Sequence, residues 1–309
     1  MISVACVSGP TASGKSELAL ELALRLGGEI VNADSQQVYR GLDRGTAKPS
    51  PQERAAVPHH LLDVVEPGEP MDAARYQALA DEAIAAIAAR GRLPIVVGGT
   101  GLYLRMLLRG VAPAPGRDPA LRAALEEEAA RTGRPALHRR LAAVDPATAA
   151  RIGQNDLVRV VRALEIAAGG RTPSEVFAGH AFAEARYRFR LLVLDPPRAE
   201  LHARIEARLA ELFEGLMAEA KGLLGRPGAG LPERLPIGYA EAAAVLAGRL
   251  DGAEAMRRVG VAHRRYARRQ VIWFRREPDA QWLRPPVDAA ALAAELRGWA
   301  ARRAISGPG

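Results

Sequence analysis

The residues Gly9-Pro10-Thr11-Ala12-Ser13-Gly14-Lys15-Ser16 spell G-x-x-x-x-G-K-[ST] without a mismatch, the pattern of a loop that wraps phosphate groups. The flanks supply the context that such a loop needs. Ile2–Ser8 is an apolar run that reads as a short buried strand. From Lys15 to Leu26 the residues Leu18, Leu22 and Leu26 recur at spacing four, one face of a helix, and Gly27-Gly28 ends it. Strand, loop and helix in that order let backbone N–H groups curl around phosphate oxygens, and the helix start adds roughly half a positive charge. Lys15 is placed to reach the terminal phosphate and Ser16 to hold Mg2+. Gly9, Pro10, Thr11, Ala12, Ser13, Gly14, Lys15 and Ser16 are therefore the expected binding site for a diphosphate or triphosphate. The loop fixes the phosphates and leaves the reaction open, since kinases and other nucleotide enzymes use it too.

Outward from the loop, strand and helix alternate. Glu29–Asn32 reads as a second strand running into Ala33-Asp34-Ser35. Ala73–Arg90 is an Ala-rich helix stopped by Gly91. Pro94–Val97 is a third strand running into Gly98-Gly99-Thr100-Gly101, and Leu102–Arg109 is a helix. This order implies an α/β fold, a parallel sheet flanked by helices, with ligands at the carboxyl ends of the strands. After the Pro-rich Val111–Gly116 the pattern is helical only, until Arg190–Leu194 returns as a strand. We therefore expect an α/β phosphate-loop core from residues 1–112 and 191–309 and a mostly helical insertion domain at 113–190. Arg198–Leu216, Ala240–Leu246 and Ala253–Arg276 read as further helices, and Ser306–Gly309 as a disordered tail.

Charge is unevenly placed. Residues 1–112 hold 11 Lys and Arg against 12 Asp and Glu, whereas the whole chain is +8, so the positive excess follows the phosphate-loop half and favours a polyanionic partner. Arg257–Arg276 carries eight arginines and no acid, arranged as two helical stripes that fit a phosphate backbone. The interleaved Tyr266, Trp273 and Phe274 read as core residues. A single cysteine, Cys6, excludes an internal disulfide and a thiolate metal cluster. His59-His60, with no third ligand nearby in sequence, reads as structural. No apolar run is long enough for a membrane span, and the N-terminus has no basic leader. A cytoplasmic monomer is the expectation.

Asp34-Ser35-Gln36-Gln37-Val38-Tyr39-Arg40-Gly41-Leu42-Asp43 puts a carboxylate and two amides at a strand end; the amides suit a nucleobase, though a polar turn explains them equally well. Together with Gly45-Thr46-Ala47-Lys48-Pro49, Pro58–Asp63, Val97-Gly98-Gly99-Thr100-Gly101-Leu102-Tyr103 and Ala267–Arg276, these motifs closely resemble the tRNA dimethylallyltransferase (tRNA isopentenyltransferase) family over about residues 2–285. The chain departs from the family at Arg44 and Leu212, and the family varies at Gln36.

The resemblance implies transfer of a dimethylallyl group from dimethylallyl diphosphate to the exocyclic amine of the adenosine 3′-adjacent to the anticodon of a tRNA, with Mg2+ and no membrane. It implies that Asp34 takes the proton of the attacking amine and that Lys15, with the loop, stabilises the leaving diphosphate. Thr100 then acts in both chemistry and tRNA contact, and Arg208, one helical turn after Arg204, binds diphosphate. The tRNA-facing residues are Asp34, Ser35, Gln36, Gln37 and Thr100, and in the insertion Arg122 and Val158, Arg159, Val160, Val161 and Arg162. The competing readings are a phosphate-loop nucleotide or small-molecule kinase, and an RNA-binding protein that makes no covalent product.

Overall fold

In the computed structural model, which describes residues 1–180, 182, 184–225 and 235–302, the first strand Ser3–Ser8 (β1) separates two apolar layers. Strand side chains alternate between faces. Val4 and Cys6 join one core with Tyr76, Ile84, Ile87, Tyr103, Leu107 and Phe274. Ala5 and Val7 join the other with Leu18, Leu22, Leu292, Leu296 and Trp299. Both faces of β1 are covered, so the strand reads as a continuous apolar run. Each fully buried side chain of this kind contributes roughly 1.5–3 kcal/mol.

The remaining strands are Glu29–Asn32 (β2), His59–His60 (β3), Pro94–Val97 (β4), Arg188–Leu194 (β5) and Ala280–Leu283 (β6). They form one parallel sheet in the order β3-β2-β4-β1-β5-β6. The register pairs Val7 with Val97 and Asn32 with Val97, so β1, β4 and β2 end level and their loops meet above one edge. Helices Ala73–Ala89 and Gly101–Arg109 bury residues on the first face, and Lys15–Leu26 and Ala289–Ala301 on the second.

The chain divides into two compact units: Met1–Leu108 with Arg186 onward, and Arg109–Ala185. The second holds helices Pro119–Thr132, Arg134–Val144, Pro146–Ala149, Leu157–Ala168 and Pro173–His180 around Leu125, Leu137, Leu141, Val160, Val161 and Leu164. Asp118, Asp145 and Asp156 cap three of these helices through side-chain bonds to backbone N–H groups, each worth about 1 kcal/mol.

Several elements differ from the sequence reading. β5 starts at Arg188, earlier than expected, because Arg188 and Arg190 interrupt its apolar pattern. The helix expected over Arg198–Leu216 is two, Arg198–Ala207 and Leu209–Leu224, broken at Arg208. β3 is only two residues long, β6 is exposed at its two central positions, and neither has a strand's sequence signal. Helices Pro51–Ala56 and Ala289–Ala301 were also unexpected. Residues 306–309 lie outside the described residues.

β3 has a clear anchor. Glu29 on β2 is 2 % exposed, yet it accepts from Arg90 at 2.7 and 3.1 Å and from Arg92 at 3.0 Å, with His60 Nε2 at 2.6 Å. His60 is thus structural. The hydrogen bonds from Arg90, ahead of the His60 contact, hold the Glu29 carboxyl down at about 2 against the opposing effect of burial. A carboxyl lowered by folding stabilises above its unfolded value of 4.5 and loses that contribution as pH falls toward 2. The difference corresponds to about 3 kcal/mol. Glu29→Gln is therefore expected to destabilise by about that amount at pH 7 and by under half of it at pH 3. Urea unfolding of both proteins at the two pH values checks this.

Candidate active site

Three strand-end loops build the site. After β1 the chain turns through Gly9 (φ 146°), Ala12 (φ 62°) and Gly14 (φ 89°) into the helix Lys15–Leu26. Gly14 caps that helix without a side-chain hydrogen bond, so the first-turn N–H groups remain for an anion. After β2, the buried Asn32 clamps Asp34: its Oδ1 accepts from Asp34 N at 3.0 Å and its Nδ2 donates to Asp34 O at 3.1 Å. Gln36 N donates to Asp34 Oδ1 at 2.9 Å, which fixes the carboxylate's direction. After β4, Gly98 lies so close to Ala33 that a Cβ there would sit 2.2 Å from the Ala33 carbonyl. Thr100 Oγ1 accepts from Ser35 N at 2.9 Å and lies 3.3 Å from Ser35 Oγ.

One cavity of about 1190 Å³ collects these parts. Its lining includes Thr11 to Glu17, Asp34, Gln37, Lys48, Asp63, Arg204 and Arg208. Lys15 Nζ donates to Pro10 O at 3.3 Å. Burial lowers the Lys15 ammonium to about 8; Asp34 opposes that shift and Arg208 adds to it. Arg204 also reaches the loop, donating to Ser13 O at 3.4 Å, so both arginines at the helix break face the phosphate loop. The far wall is held by Glu219, which accepts from the N–H groups of Asp43, Arg44 and Gly45 and from the Tyr239 hydroxyl. Lys48 is anchored by Asp43, Asp63 and the Tyr39 carbonyl.

Two further lining residues come from the helix Gly252–Phe274: Tyr266, expected in the core, faces the cavity instead, and Gln270 had no assigned role. Tyr266 is hydrogen-bonded to Thr100, and its phenol is pushed up by burial and by Asp34. Gln270 accepts from Thr11 N at 2.8 Å and donates to Gly99 O at 3.0 Å. Their only sequence signal is spacing: 266 and 270 lie one turn apart.

No group of three or more His, Cys, Asp or Glu side chains among the described residues could cage a metal. Ser16, on the cavity, fits the other kind of site. Mg2+ is commonly held by one or two protein oxygens with its remaining ligands from phosphate and water.

The profile of the family described as IPP transferase matches residues 37–277. The chain belongs to the IPP transferase family. A tRNA dimethylallyltransferase of Anaeromyxobacter dehalogenans is 73 % identical over 288 residues, covering 93 % of this chain and 96 % of that one. The tRNA dimethylallyltransferase of Myxococcus xanthus is 56 % identical, covering 92 % and 93 %. Among solved structures, the full-length tRNA isopentenylpyrophosphate transferase of Bacillus halodurans aligns with TM-score 0.68 at 37 % identity, covering 96 % and 95 %. A eukaryotic dimethylallyltransferase acting on tRNA aligns with TM-score 0.77 at 28 % identity, covering 96 % of this chain and 78 % of that one. Membership in the IPP transferase family sets aside the kinase alternative left open by the loop.

Lys15, Ser16, Asp34, Gln37, Arg204 and Arg208 line the cavity, while other expected contact residues are engaged within the fold or buried. Gln37 spends its amide donor on the carbonyls of Thr46 and Ala47 at 3.0 Å each, so it holds the loop and is not free to read a base with that group. Gln36 Oε1 is buried without a hydrogen-bond partner. Arg122 is not a free cation, because the buried Glu165 accepts from it at 2.6 Å. Arg162 donates to Pro115 O at 2.7 Å and ties down the entry to the insertion. Val160 and Val161 are buried in the insertion core; only Val158 and Arg159 of that segment are exposed, and Arg159 pairs with Asp156. In the long arginine helix, Arg257 and Arg258 pair with Glu254 and Arg264 with Glu206. Arg265, Arg268, Arg275 and Arg276 are exposed and have no carboxylate partner among the described residues. No helix among the described residues is long and apolar enough to cross a membrane.

Proposed function

We propose that the chain transfers a dimethylallyl group from dimethylallyl diphosphate to the exocyclic amine of the adenosine 3′-adjacent to the anticodon in tRNA. The observation that carries this reading is the meeting of Lys15 and Asp34 on one cavity, a cation and a carboxylate from the ends of β1 and β2, which flank β4 in the sheet. The diphosphate lies in the loop, where the first-turn N–H groups and Lys15 meet the charge that builds as the carbon–oxygen bond breaks. The adenine amine attacks the freed carbon, and Asp34, held by Gln36 N, accepts the proton that nitrogen sheds. Arg204 and Arg208 add positive charge on the leaving-group side. Mg2+ held at Ser16 would share the diphosphate's negative charge.

Incubation with dimethylallyl diphosphate, Mg2+ and unmodified tRNA, followed by nucleoside mass analysis, tests the proposal. The expected product is an adenosine heavier by one dimethylallyl group. ATP turnover with unmodified nucleosides would overturn it.

The RNA surface gives a second expectation. Each phosphate contact contributes close to one unit to the slope of log affinity against log salt. Arg268→Ala with Arg276→Ala is expected to flatten that slope for tRNA by roughly two, whereas Arg122→Ala leaves it unchanged because Glu165 already occupies that arginine. Filter binding across a salt series reads both.

A further inference from the structure

Gln270 is a buried polar side chain of the site that is held at both ends. It is 5 % exposed, and its two ends meet backbone groups of opposite polarity: Oε1 faces Thr11 N–H at 2.8 Å and Nε2 faces Gly99 C=O at 3.0 Å. Those two backbone groups belong to the loops that follow the adjacent strands β1 and β4. A Cβ on Gly99 would lie 2.0 Å from Gln270 Nε2, so glycine at 99 makes room for this amide. The same helix sets Tyr266 against Thr100 one turn earlier. Three residues later Trp273 fills the place where a Cβ on Gly101 would sit, at 2.1 Å. One helix face thus abuts Gly99, Thr100 and Gly101 in turn.

We infer that Gln270 is a positioning residue, a strut that sets the spacing between the phosphate loop and the loop carrying Thr100, and hence between the leaving diphosphate and the attacking amine. The inference rests on the prenyl transfer proposed above. The chemistry of the side chain is specific. Only a group with an acceptor at one end and a donor at the other, at glutamine's length, satisfies both loops. A carboxylate would set oxygen against the Gly99 carbonyl, and an apolar chain would leave two buried backbone groups unpaired. Thr11 N–H, taken by Gln270, is unavailable to phosphate, so the strut acts on alignment more than on diphosphate affinity.

Two variants of the full chain, Gln270→Met and Gln270→Glu, separate this from a general structural role. In Gln270→Met the single-turnover rate is expected to fall about 100-fold, the scale of an ångström of misplacement, while the Kd for inorganic diphosphate changes by less than about threefold. Gln270→Glu behaves the same way at pH 8.5. At pH 6 the protonated acid can donate to Gly99 O and accept from Thr11 N–H, so its rate relative to wild type is expected to recover about tenfold. Lys15, Asp34, Tyr266, Arg204 and Arg208 face the same region in both proteins, so the ratio removes their common effect. Hydrogen exchange of the Thr11 amide is expected to be protected in wild type, fast in Gln270→Met, and protected in Gln270→Glu at both pH values, because either form of the acid accepts from Thr11 N–H.

Unchanged rates overturn the strut, as does a parallel fall in rate and diphosphate affinity, or a Glu-to-wild-type ratio independent of pH. A wild-type chain that yields no prenylated nucleoside overturns the transfer reading instead, and the exchange measurement still decides the strut.

Discussion

Replacing Asp34 by Asn is expected to lower kcat by about 10²–10⁴-fold, the usual contribution of a positioned general base. The exchange preserves shape and keeps an oxygen for Gln36 N, which bonds Asp34 Oδ1 at 2.9 Å. The Asn32 clamp acts on the Asp34 backbone and is untouched. The variant therefore loses proton acceptance and little else, and its diphosphate affinity should stay near the wild-type value. A metal ligand would behave differently: its loss would weaken Mg2+-dependent diphosphate binding, and added Mg2+ would partly restore it. Near-normal kcat at saturating tRNA would show that the proton leaves by another route, to water or to the diphosphate.

Lys15→Met is expected to weaken diphosphate binding by about 2–5 kcal/mol, the cost of truncating one partner of a buried charge pair, with tRNA affinity nearly intact. The lysine's titration adds a signature. Burial, with a smaller push from Arg208, brings its ammonium down to about 8, and Asp34 limits the fall. A diphosphate binds the protonated form, so affinity should be flat below pH 8 and fall above it by up to tenfold per pH unit. Binding above pH 8 should take up as much as one proton, and the Lys15→Met variant should show neither effect. For the unliganded protein the sign is opposite: the unfolded lysine keeps its proton up to 10.5, so this group makes stability rise between pH 8 and 10.5. Calorimetry in buffers of different ionisation heat measures the proton count directly.

The phosphate loop and the two other strand ends were legible because they combine glycine patterns with flanking apolar runs. Gly9 to Ser16 could be read residue by residue, and Asp34 and Thr100 follow from where β2 and β4 stop. The insertion was legible as a helical interval with a shifted charge. What escaped were contacts settled by partners far along the chain. Arg122 reads as a free cation until Glu165, 43 positions away, is seen to hold it. Gln37 reads as a base-reading amide until the carbonyls of Thr46 and Ala47 are in view. Tyr266 and Gln270 sit in an arginine-rich helix whose period marks them as ordinary inward positions, and nothing local says that inward there means toward a cavity. The break at Arg208 was hidden because both halves are good helix formers.

The order in which the chain leaves the ribosome matters for this sheet. β1 is inner in the sheet, yet its neighbour β5 is encoded some 180 residues later, beyond the whole insertion. The Thr11–Gln270 bond closes a separation of 259. At roughly 5–20 residues per second, β1 waits on the order of ten seconds or more for its second partner during synthesis. The insertion, with its own apolar centre, can acquire structure meanwhile, but β1 presents an unpaired edge of the kind that recruits other chains. Nascent chains stalled within the insertion are thus the species most exposed to aggregation, and none of them carries a finished phosphate site.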